Sequence, residues 1–317
     1  TVALESNVAH VEACRSPGAR IHLPHGTSLT TPLQMATSVD DLTDTFDYAL
    51  ITLKAPVVPG ILRALAERDL VKNYVSLGNG LIQDVITDIV GEGRLLIGTV
   101  SWGATFHGPG HVEQTTLAPF AVGDLHPERD PDRLPRLLEV LSNVAPAHAT
   151  DSITGQVWAK LLRNSSFWGL GTVAGTTYAA TVAAPLGREI ALRMWTEGLR
   201  VAEAIGERLD SDVAGINPYD IDVDGPGGYE GASATLDQLL SAFGATKASM
   251  LQDLDRGVPT EVNVINGAVV RVGAANGVPT PLNERCADII RACERGEATP
   301  GLQNLALFED LLPQARS

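Results

Sequence analysis

Residues 48–80, YALITLKAPVVPGILRALAERDLVKNYVSLGNG, alternate between strand-like and helix-like patterns. The apolar run from Tyr48 to Leu53 is typical of a strand that is buried in a parallel sheet. Leucines and alanines at helical spacing predict a helix from about Val57 to Arg68. The next strand is predicted at Tyr74–Leu77 and ends at Gly78-Asn79-Gly80. This order of strand, helix and strand predicts a parallel sheet covered by helices.

The same alternation continues on both sides of this stretch as far as residue 150. Further predicted elements are a strand at 2–5, a helix at 81–90, a strand at 95–100 and a β-rich region at 101–122. After residue 150 the strand pattern ends and helical periodicity dominates, with helices predicted at 157–169, 184–209, 232–256 and 260–275. We therefore expect a Rossmann-like α/β domain over residues 1–150 and an all-helical domain over residues 151–317.

The composition is that of a folded globular protein. The chain has 317 residues, of which 44% are hydrophobic and 19% charged, so it can hold two domains with full cores. Its net charge of −15 argues against a nucleic-acid partner, because binding to phosphates needs a cationic surface. The sequence contains no apolar run of about 18 residues, so no membrane partner is expected.

The cysteine and histidine spacings give no metal-binding pattern. Cys14, Cys286 and Cys293 have no CxxC spacing, and free thiols in a cytoplasmic protein are the simplest interpretation. His107 and His111 flank a Gly-Pro-Gly turn, unlike the two histidines of an HExxH helix in a metalloenzyme. We therefore expect no metal site.

Residues 249–270, SMLQDLDRGVPTEVNVINGAVV, join two apolar-faced segments predicted to be helical. Gly257 and Pro259 end the first segment, and Thr260 is a suitable N-cap for the second. Glu261 would then lie in the first turn, where the helix dipole favours a carboxylate. A glycine at 267, inside this helix, costs roughly 1 kcal/mol unless something packs closely against it. The segment therefore predicts a shaped interface or a site.

The motifs S-M-L-Q-D, T-E and I-N-G in this segment, followed by Gly-Val-Pro-Thr-Pro at 277–281, resemble the ketopantoate reductase (2-dehydropantoate 2-reductase) family. Leu53-Lys54-Ala55, Asn79-Gly80, and Lys160 with Asn164 match it as well. The resemblance runs from about residue 8 to about residue 290. It implies an NAD(P)H-dependent reductase of pantothenate biosynthesis that transfers hydride to the carbonyl of a 2-oxo acid. It also implies a cytoplasmic homodimer whose helical domain binds substrate and forms the dimer.

Lys160 and Asn164 lie four residues apart, so they share one face of a largely apolar helix. From the residues alone, Lys160 either extends to solvent or faces a cleft. The resemblance implies that Lys160 is the general acid that protonates the carbonyl oxygen as hydride arrives. A partly desolvated ammonium has a lowered pKa, which suits that role. Asn164 would bind the substrate or orient Lys160.

Two further residues of the 249–270 segment have a structural and a functional interpretation. Glu261 can simply complement the helix dipole. The resemblance implies instead an active-site carboxylate that holds Lys160 or the cofactor ribose and positions the substrate. Ser249 can be an ordinary residue on a helix surface, whereas the resemblance implies a serine that binds the substrate carboxylate.

Residues at the ends of two predicted strands are candidate cofactor ligands. Asn79-Gly80 can be a plain turn, but ligands bind at the ends of strands in open parallel sheets. The resemblance implies that Asn79 contacts both nicotinamide and substrate, with Gly80 beside it. Lys54 ends the preceding strand, and the resemblance implies that it approaches the cofactor. A solvated surface lysine is the competing interpretation.

Glu5 bears on the choice between NAD and NADP. A carboxylate after the second strand of a dinucleotide-binding fold pairs with the ribose 2′-hydroxyl of NAD and repels the 2′-phosphate of NADP. Glu5 therefore favours NAD, although the family usually prefers NADPH. No GxGxxG motif occurs in the chain. We expect the first strand, the glycine-rich turn and the first helix to lie upstream of Thr1.

Four residues depart from the family pattern around the substrate. Trp168-Gly169 stand where family members often carry Asn-Pro, and Tyr178 and Thr246 replace asparagines that contact ketopantoate. Aromatic groups in place of amides change the shape and polarity of a pocket. The alternative substrate is therefore a different keto or hydroxy acid. The alternative from another class is a non-catalytic family member that has lost cofactor binding.

Overall fold

The computed structural model describes residues 1–100, 102–209 and 216–313, which form two compact units. The first unit comprises Thr1–Leu53, Val57–Gly78 and Gln83–Ile153. The second unit comprises Lys54–Pro56, Asn79–Ile82 and Thr154–Ser317. Two short segments that follow strands in sequence therefore group with the helical part of the chain. The predicted boundary at residue 150 stays a prediction.

The first unit alternates strands with helices along the chain. Its strands are β1 (Ala3–Leu4), β2 (Ala19–His22), β3 (Ser28–Thr31), β4 (Met35–Ala36), β5 (Phe46–Ile51), β6 (Val71–Ser76), β7 (Leu95–Val100), β8 (Ala104–Gly108), β9 (His111–Gln114), β10 (Phe120–Asp124) and β11 (Ala147–Ala149). Its helices are α1 (Val8–Ala13), α2 (Val58–Glu67), α3 (Gln83–Val90) and α4 (Arg133–Leu141).

The main sheet of this unit has the strand order β11-β10-β7-β6-β5. Strands β5, β6 and β7 are parallel to one another, whereas β10 runs antiparallel to β7. Val75, Leu96, Val122 and Leu137 are fully buried in one core against this sheet. Parallel strands with buried apolar side chains and helical crossovers confirm the predicted Rossmann-like fold class.

Strands β1 and β4 form a separate parallel pair. In the doubly wound order 3-2-1-4-5-6, this pair corresponds to strands 3 and 2, and β5, β6 and β7 correspond to strands 4, 5 and 6. No strand within the described residues takes the place between the two groups. The expectation that a first strand and its glycine-rich turn precede Thr1 stays a prediction. A third sheet, β3-β2-β9-β8, completes the unit.

The second unit is helical, as predicted. Its helices are α5 (Ile153–Arg163, whose first residue belongs to the first unit), α6 (Gly169–Ala174), α7 (Tyr178–Ala183), α8 (Gly187–Ala204), α9 (Gly228–Phe243), α10 (Ser249–Asp255), α11 (Asn266–Ala275) and α12 (Pro281–Glu294). A π-helical turn, Asn164–Trp168, joins α5 to α6. Leu162, Trp195 and Ile290 are fully buried in the core. Within the described part of the chain, no helix combines the length and apolar character that crossing a membrane requires.

Two predicted helices differ from the observed ones because some of their backbone groups form hydrogen bonds with distant residues instead of within a helix. The helix predicted at 232–256 is divided into α9 and α10. At the break, the amide of Tyr178 donates to the carbonyl of Thr246 over 3.2 Å. The helix predicted from Thr260 begins only at Asn266, after a series of turns. The prediction that Thr260 caps this helix and that Glu261 lies in its first turn was therefore wrong.

Candidate active site

Four polar residues from distant parts of the sequence meet in the second unit, and we call them the carboxylate cluster: Lys54, Asn79, Asp253 and Glu261. The ammonium of Lys54 lies 2.9 Å from Asp253 Oδ2 and 3.3 Å from Glu261 Oε2. Asn79 Nδ2 donates to the same oxygen of Glu261 over 3.1 Å. Both carboxylates are buried, each only 3% exposed. Buried carboxylates need such donors, and here a lysine and an amide supply them.

The backbone around Glu261 explains why this side chain can reach the cluster. The amide of Leu81 donates to the carbonyl of Val264 over 2.9 Å. Gly80 has a φ of 75°, and an added Cβ there would collide with that same carbonyl. Thr260 donates from both its amide and its hydroxyl to Glu294 Oε1, at 2.7 Å each. These bonds hold residues 260–265 in turns and fix the position of Glu261.

Lys54 keeps its proton firmly. Desolvation favours the neutral amine, but the charges and hydrogen bonds of Glu261 and Asp253 outweigh it, so the pKa of Lys54 is raised above its ordinary value. The side chain is 46% exposed on its other side. Lys54 is therefore a fixed positive charge shared between two buried carboxylates.

Lys160 occupies a different environment. It is half-buried near the end of α5. Burial and the positive charge of Arg163 lower the pKa of Lys160 to about 8, although the charge of Glu261 opposes both. A lysine with this pKa can hold and release a proton near neutral pH, as a general acid must.

Asn164 is buried, 8% exposed, at the start of the π-helical turn. In this turn the amide of Gly169 donates to the carbonyl of Asn164, five residues earlier. Asn266 Nδ2 donates to the carbonyl of Ser165 over 2.9 Å and to Asn283 Oδ1 over 3.1 Å. Asn266 of the 249–270 segment therefore anchors the π-helical turn, and single-turn π segments are frequent at functional sites.

Gly267 lies near the start of α11 and not in its interior. A Cβ added to Gly267 would lie 3.0 Å from the Arg291 guanidinium and 3.2 Å from the carbonyl of Val262. The expectation that something packs closely against this glycine agrees with these distances.

Ser249 and Glu5 are the remaining predicted site residues. Ser249 begins α10, is half-buried, and its hydroxyl has no hydrogen-bond partner among the described residues. Glu5 belongs to the first unit and follows β1, where its Oε1 accepts from the amide of Asn7 over 2.7 Å. The structure therefore joins Lys54, Asn79 and Glu261 directly and links Lys160 to Glu261 by charge.

Sequence reasoning missed two residues of this region. Asp253 is the last residue of the S-M-L-Q-D motif, and its place in that motif was the available signal. Arg163 follows Lys160 by three residues, so helical spacing alone puts the two on one face. Within residues 1–100, 102–209 and 216–313, no three His, Cys, Asp or Glu side chains are arranged to hold a metal ion.

Two family models match the chain. The model described as "Ketopantoate reductase PanE/ApbA" matches residues 1–127, and the model for the C-terminal part of the same family matches residues 152–294. A 2-dehydropantoate 2-reductase of Halobacterium salinarum is 26% identical over 291 residues, which cover 90% of this chain and 88% of that protein. A 2-dehydropantoate 2-reductase of Mesorhizobium japonicum is 27% identical over 316 residues, with 91% and 89% covered.

Solved structures resemble most of the chain. A ternary structure of D-mandelate dehydrogenase with NADH and anilino(oxo)acetate superposes with a TM-score of 0.77 at 22% identity, covering 93% of this chain and 91% of that one. A ketopantoate reductase of the same family from Ralstonia eutropha superposes with a TM-score of 0.76 at 21% identity, with 92% and 89% covered. At these identities the structures establish a shared fold.

Proposed function

Because the chain belongs to the ketopantoate reductase family and is an NAD(P)-dependent oxidoreductase, we propose that it reduces the carbonyl of a 2-oxo acid to a hydroxyl with Lys160 as general acid. The observation that carries this proposal is the pKa of Lys160, which burial and Arg163 lower to about 8. Lys54, by contrast, is held protonated by two carboxylates. Of these two lysines, Lys160 is the one suited to release a proton.

The residues of the first unit fit a dinucleotide. Glu5 follows β1, and in doubly wound sheets ligands bind outside the carboxyl ends of the parallel strands. One oxygen of Glu5 accepts from Asn7, which leaves the other for a ribose hydroxyl. A carboxylate there disfavours the 2′-phosphate, so we assign NAD in preference to NADP. When bound, the reduced nicotinamide supplies the hydride.

Lys160 completes the reduction with a proton. Its ammonium donates to the carbonyl oxygen as the carbonyl carbon receives the hydride, so that C=O becomes CH–OH. The positive charge also stabilises the negative charge that develops on the oxygen. The neutral amine then regains a proton from water. Glu261 favours the protonated lysine before each reaction, because its charge raises the pKa of Lys160.

The remaining site residues position the reactants. Asn164 and Ser249 are proposed to bind the substrate, Ser249 through its carboxylate. Asn79 donates one amide hydrogen to Glu261, which leaves the side-chain oxygen of Asn79 for substrate or nicotinamide. Lys54, Gly80 and Glu261 are proposed to support the cofactor. If 2-dehydropantoate is the substrate, the protein has the activity named for its relatives, 2-dehydropantoate 2-reductase. We also propose that the protein is a cytoplasmic homodimer.

The test is reduction of 2-oxo acids by the whole protein. Purified protein is mixed with NADH or NADPH and 2-dehydropantoate or other 2-oxo acids, and cofactor oxidation and the hydroxy acid are measured. We expect turnover, faster with NADH, and loss of turnover in Lys160→Met. Full turnover by Lys160→Met would remove Lys160 as the acid. Absence of cofactor binding and of turnover with every acid would favour the non-catalytic alternative.

A further inference from the structure

Three polar side chains connect four elements of the helical unit, and we call them the Asn266 network: Asn266 at the start of α11, Asn283 in the first turn of α12, and Glu197 on α8. Asn266 and Asn283 are fully buried. Asn266 Nδ2 donates to Asn283 Oδ1 over 3.1 Å, and Asn283 Nδ2 donates to Glu197 Oε2 over 2.9 Å. Asn266 Nδ2 also donates to the carbonyl of Ser165 over 2.9 Å, so the network ends on the π-helical turn.

The π-helical turn explains why the carbonyl of Ser165 needs a donor. In an α-helix, the amide of Gly169 would donate to Ser165, four residues earlier. Here that amide donates to the carbonyl of Asn164, five residues earlier. Ser165 is fully buried, and a buried carbonyl without a partner is unfavourable. Asn266 supplies the donor, so it stabilises the wide turn relative to an α-helical one.

Glu197 sets the polarity of the network. Its Oε1 accepts from the amide of Leu282 over 2.8 Å, and its Oε2 accepts from the amide of Asn283 over 3.0 Å. An ionised carboxylate only accepts, so Asn283 turns its NH2 group towards Glu197 and its oxygen towards Asn266. Asn266 must then turn its own NH2 group towards Asn283, and the second hydrogen of that group meets Ser165. The carboxylate on α8 therefore determines which group faces the π-helical turn.

Gly169 leaves the space that the Asn266 side chain occupies. A Cβ added at Gly169 would lie 2.7 Å from Asn266 Oδ1 and 3.0 Å from Asn266 Nδ2. Asn266 Oδ1 is buried and has no hydrogen-bond partner among the described residues. The side chain keeps its NH2 group on Ser165 and Asn283 although its oxygen is unpaired, which indicates that the bonds of the NH2 group decide its orientation.

We propose that Asn266, Asn283 and Glu197 are positioning residues for the reduction. They hold the π-helical turn in the form that presents Asn164 to the substrate, one helical turn after Lys160. In this role they act through the backbone of the turn and touch neither substrate nor cofactor. The inference rests on the proposed function, in which Asn164 binds the substrate and Lys160 protonates it. A misplacement of about 1 Å at such a site can lower the rate by about 100-fold.

The first experiment reverses the polarity of Asn266. Asn266→Asp keeps the shape of the side chain but places an oxygen against the carbonyl of Ser165. The whole protein is assayed with NADH and the 2-oxo acid that the wild-type protein reduces best, and kcat/KM should fall by about 100-fold. Asn276→Asp, the same substitution at an exposed amide just after α11, is the matched control and should change kcat/KM by less than about twofold.

Hydrogen exchange tests the turn without turnover. The amides of residues 165–170 are followed by mass spectrometry in the whole protein. Exchange should be at least about tenfold faster in Asn266→Asp than in the wild type and unchanged in Asn276→Asp, because only the first substitution loosens the turn.

A double-mutant cycle separates positioning from a loss of stability. If Asn266 acts through Asn164, Asn266→Asp should lower kcat/KM by less than about threefold in the Asn164→Ala background. A merely structural role would give the same loss in both backgrounds. Glu197→Gln keeps one oxygen for Asn283 and should lower kcat/KM by only about fivefold, whereas Glu197→Leu removes the acceptor and should approach the loss in Asn266→Asp.

Gly169→Ala provides a second variant if melting curves show that Asn266→Asp fails to fold. The added methyl group displaces the Asn266 amide and leaves every polar group of the network chemically unchanged. Alanine is also the better helix former, so the expected fall in kcat/KM of about tenfold would not come from a weaker helix.

The outcomes separate this inference from the proposed function. Unchanged kcat/KM or unchanged exchange in Asn266→Asp, or equal losses in the two backgrounds of the cycle, would overturn the positioning role and leave the reductase intact. If the wild-type protein reduces no 2-oxo acid, the proposed function fails and the positioning role with it, whereas faster exchange in Asn266→Asp would still show that the network holds the turn.

Discussion

Lys54 and Lys160 lie in the same helical unit, and the charge of Glu261 acts on both, yet their environments give them opposite properties. Lys54 has two buried carboxylates within 3.3 Å and a raised pKa. Lys160 is desolvated beside Arg163, and its pKa falls to about 8. The comparison teaches that neighbouring charges decide which lysine holds its proton and which can release it.

The largest difference is expected when each lysine loses its charge. Lys160→Met should lower kcat by about 1,000-fold, because the general acid is removed. Lys54→Met should lower kcat by only about tenfold, because it disturbs the carboxylate cluster without removing the acid. Steady-state kinetics of both variants measure this contrast. Equal losses in the two variants would show that the lysines do not differ as proposed.

Removing the carboxylate of Glu261, which acts on both lysines, should lower the pKa of each. In Glu261→Gln, Lys54 loses one of its two ionic partners, and Lys160 loses the charge that raises its pKa. We expect kcat/KM at pH 8 to fall by about 10- to 100-fold. The control is Glu230→Gln, which changes an exposed carboxylate of α9. A variant as active as the control would exclude Glu261 from the reaction.

The pH dependence of the reaction should follow Lys160. The ammonium is present below its pKa of about 8 and is lost above it. Reduction should therefore be fast below pH 8 and fall about tenfold per pH unit above it, while the reverse oxidation should rise over the same range. Arg163→Met removes a charge that lowers this pKa, so the descending limb should move to higher pH. A limb that stays in place in Arg163→Met would argue against Lys160 as the titrating group.

The smallest effect is expected at the other partner of Lys54. Asp253→Asn removes a carboxylate 2.9 Å from Lys54, so the pKa of Lys54 should fall. Because Lys54 is partly exposed, the loss in the free energy of unfolding should be only about 1 kcal/mol. Thermal denaturation measures it, with Asp255→Asn as the control on the exposed side of α10. An equal loss of unfolding free energy in the control would show that the loss comes from changing the helix and not from breaking the ion pair.

The fold class and several site residues could be predicted because their signals are local. The strand patterns gave the sheet, and motif positions gave Lys54, Asn79 and Glu261 as candidates. Their meeting could not be predicted, since Glu261 lies 182 positions from Asn79 and 207 from Lys54 and is joined to both by long-range hydrogen bonds. The late start of α11 has the same cause, because periodicity does not show that Leu81 binds the carbonyl of Val264.

The lowered pKa of Lys160 is a second property that the sequence could not predict. Its position on an apolar helix was visible, but the cause of its low pKa includes Arg163, which spacing alone did not single out. Likewise, Trp168 and Tyr178 were recognised as departures from the family pattern. Only the three-dimensional arrangement shows that they pack against each other and line one pocket.

The π-helical turn at Asn164–Trp168 has a consequence for how this part of the chain responds to insertions and deletions. Each residue of an α-helix turns the chain by about 100°, so the extra residue of a π turn rotates everything beyond it relative to Lys160. A deletion of one residue in this turn would rotate Trp168 away from Arg163 without substituting any other residue. Insertions and deletions in this turn therefore reorient the following helix in a way that substitutions do not.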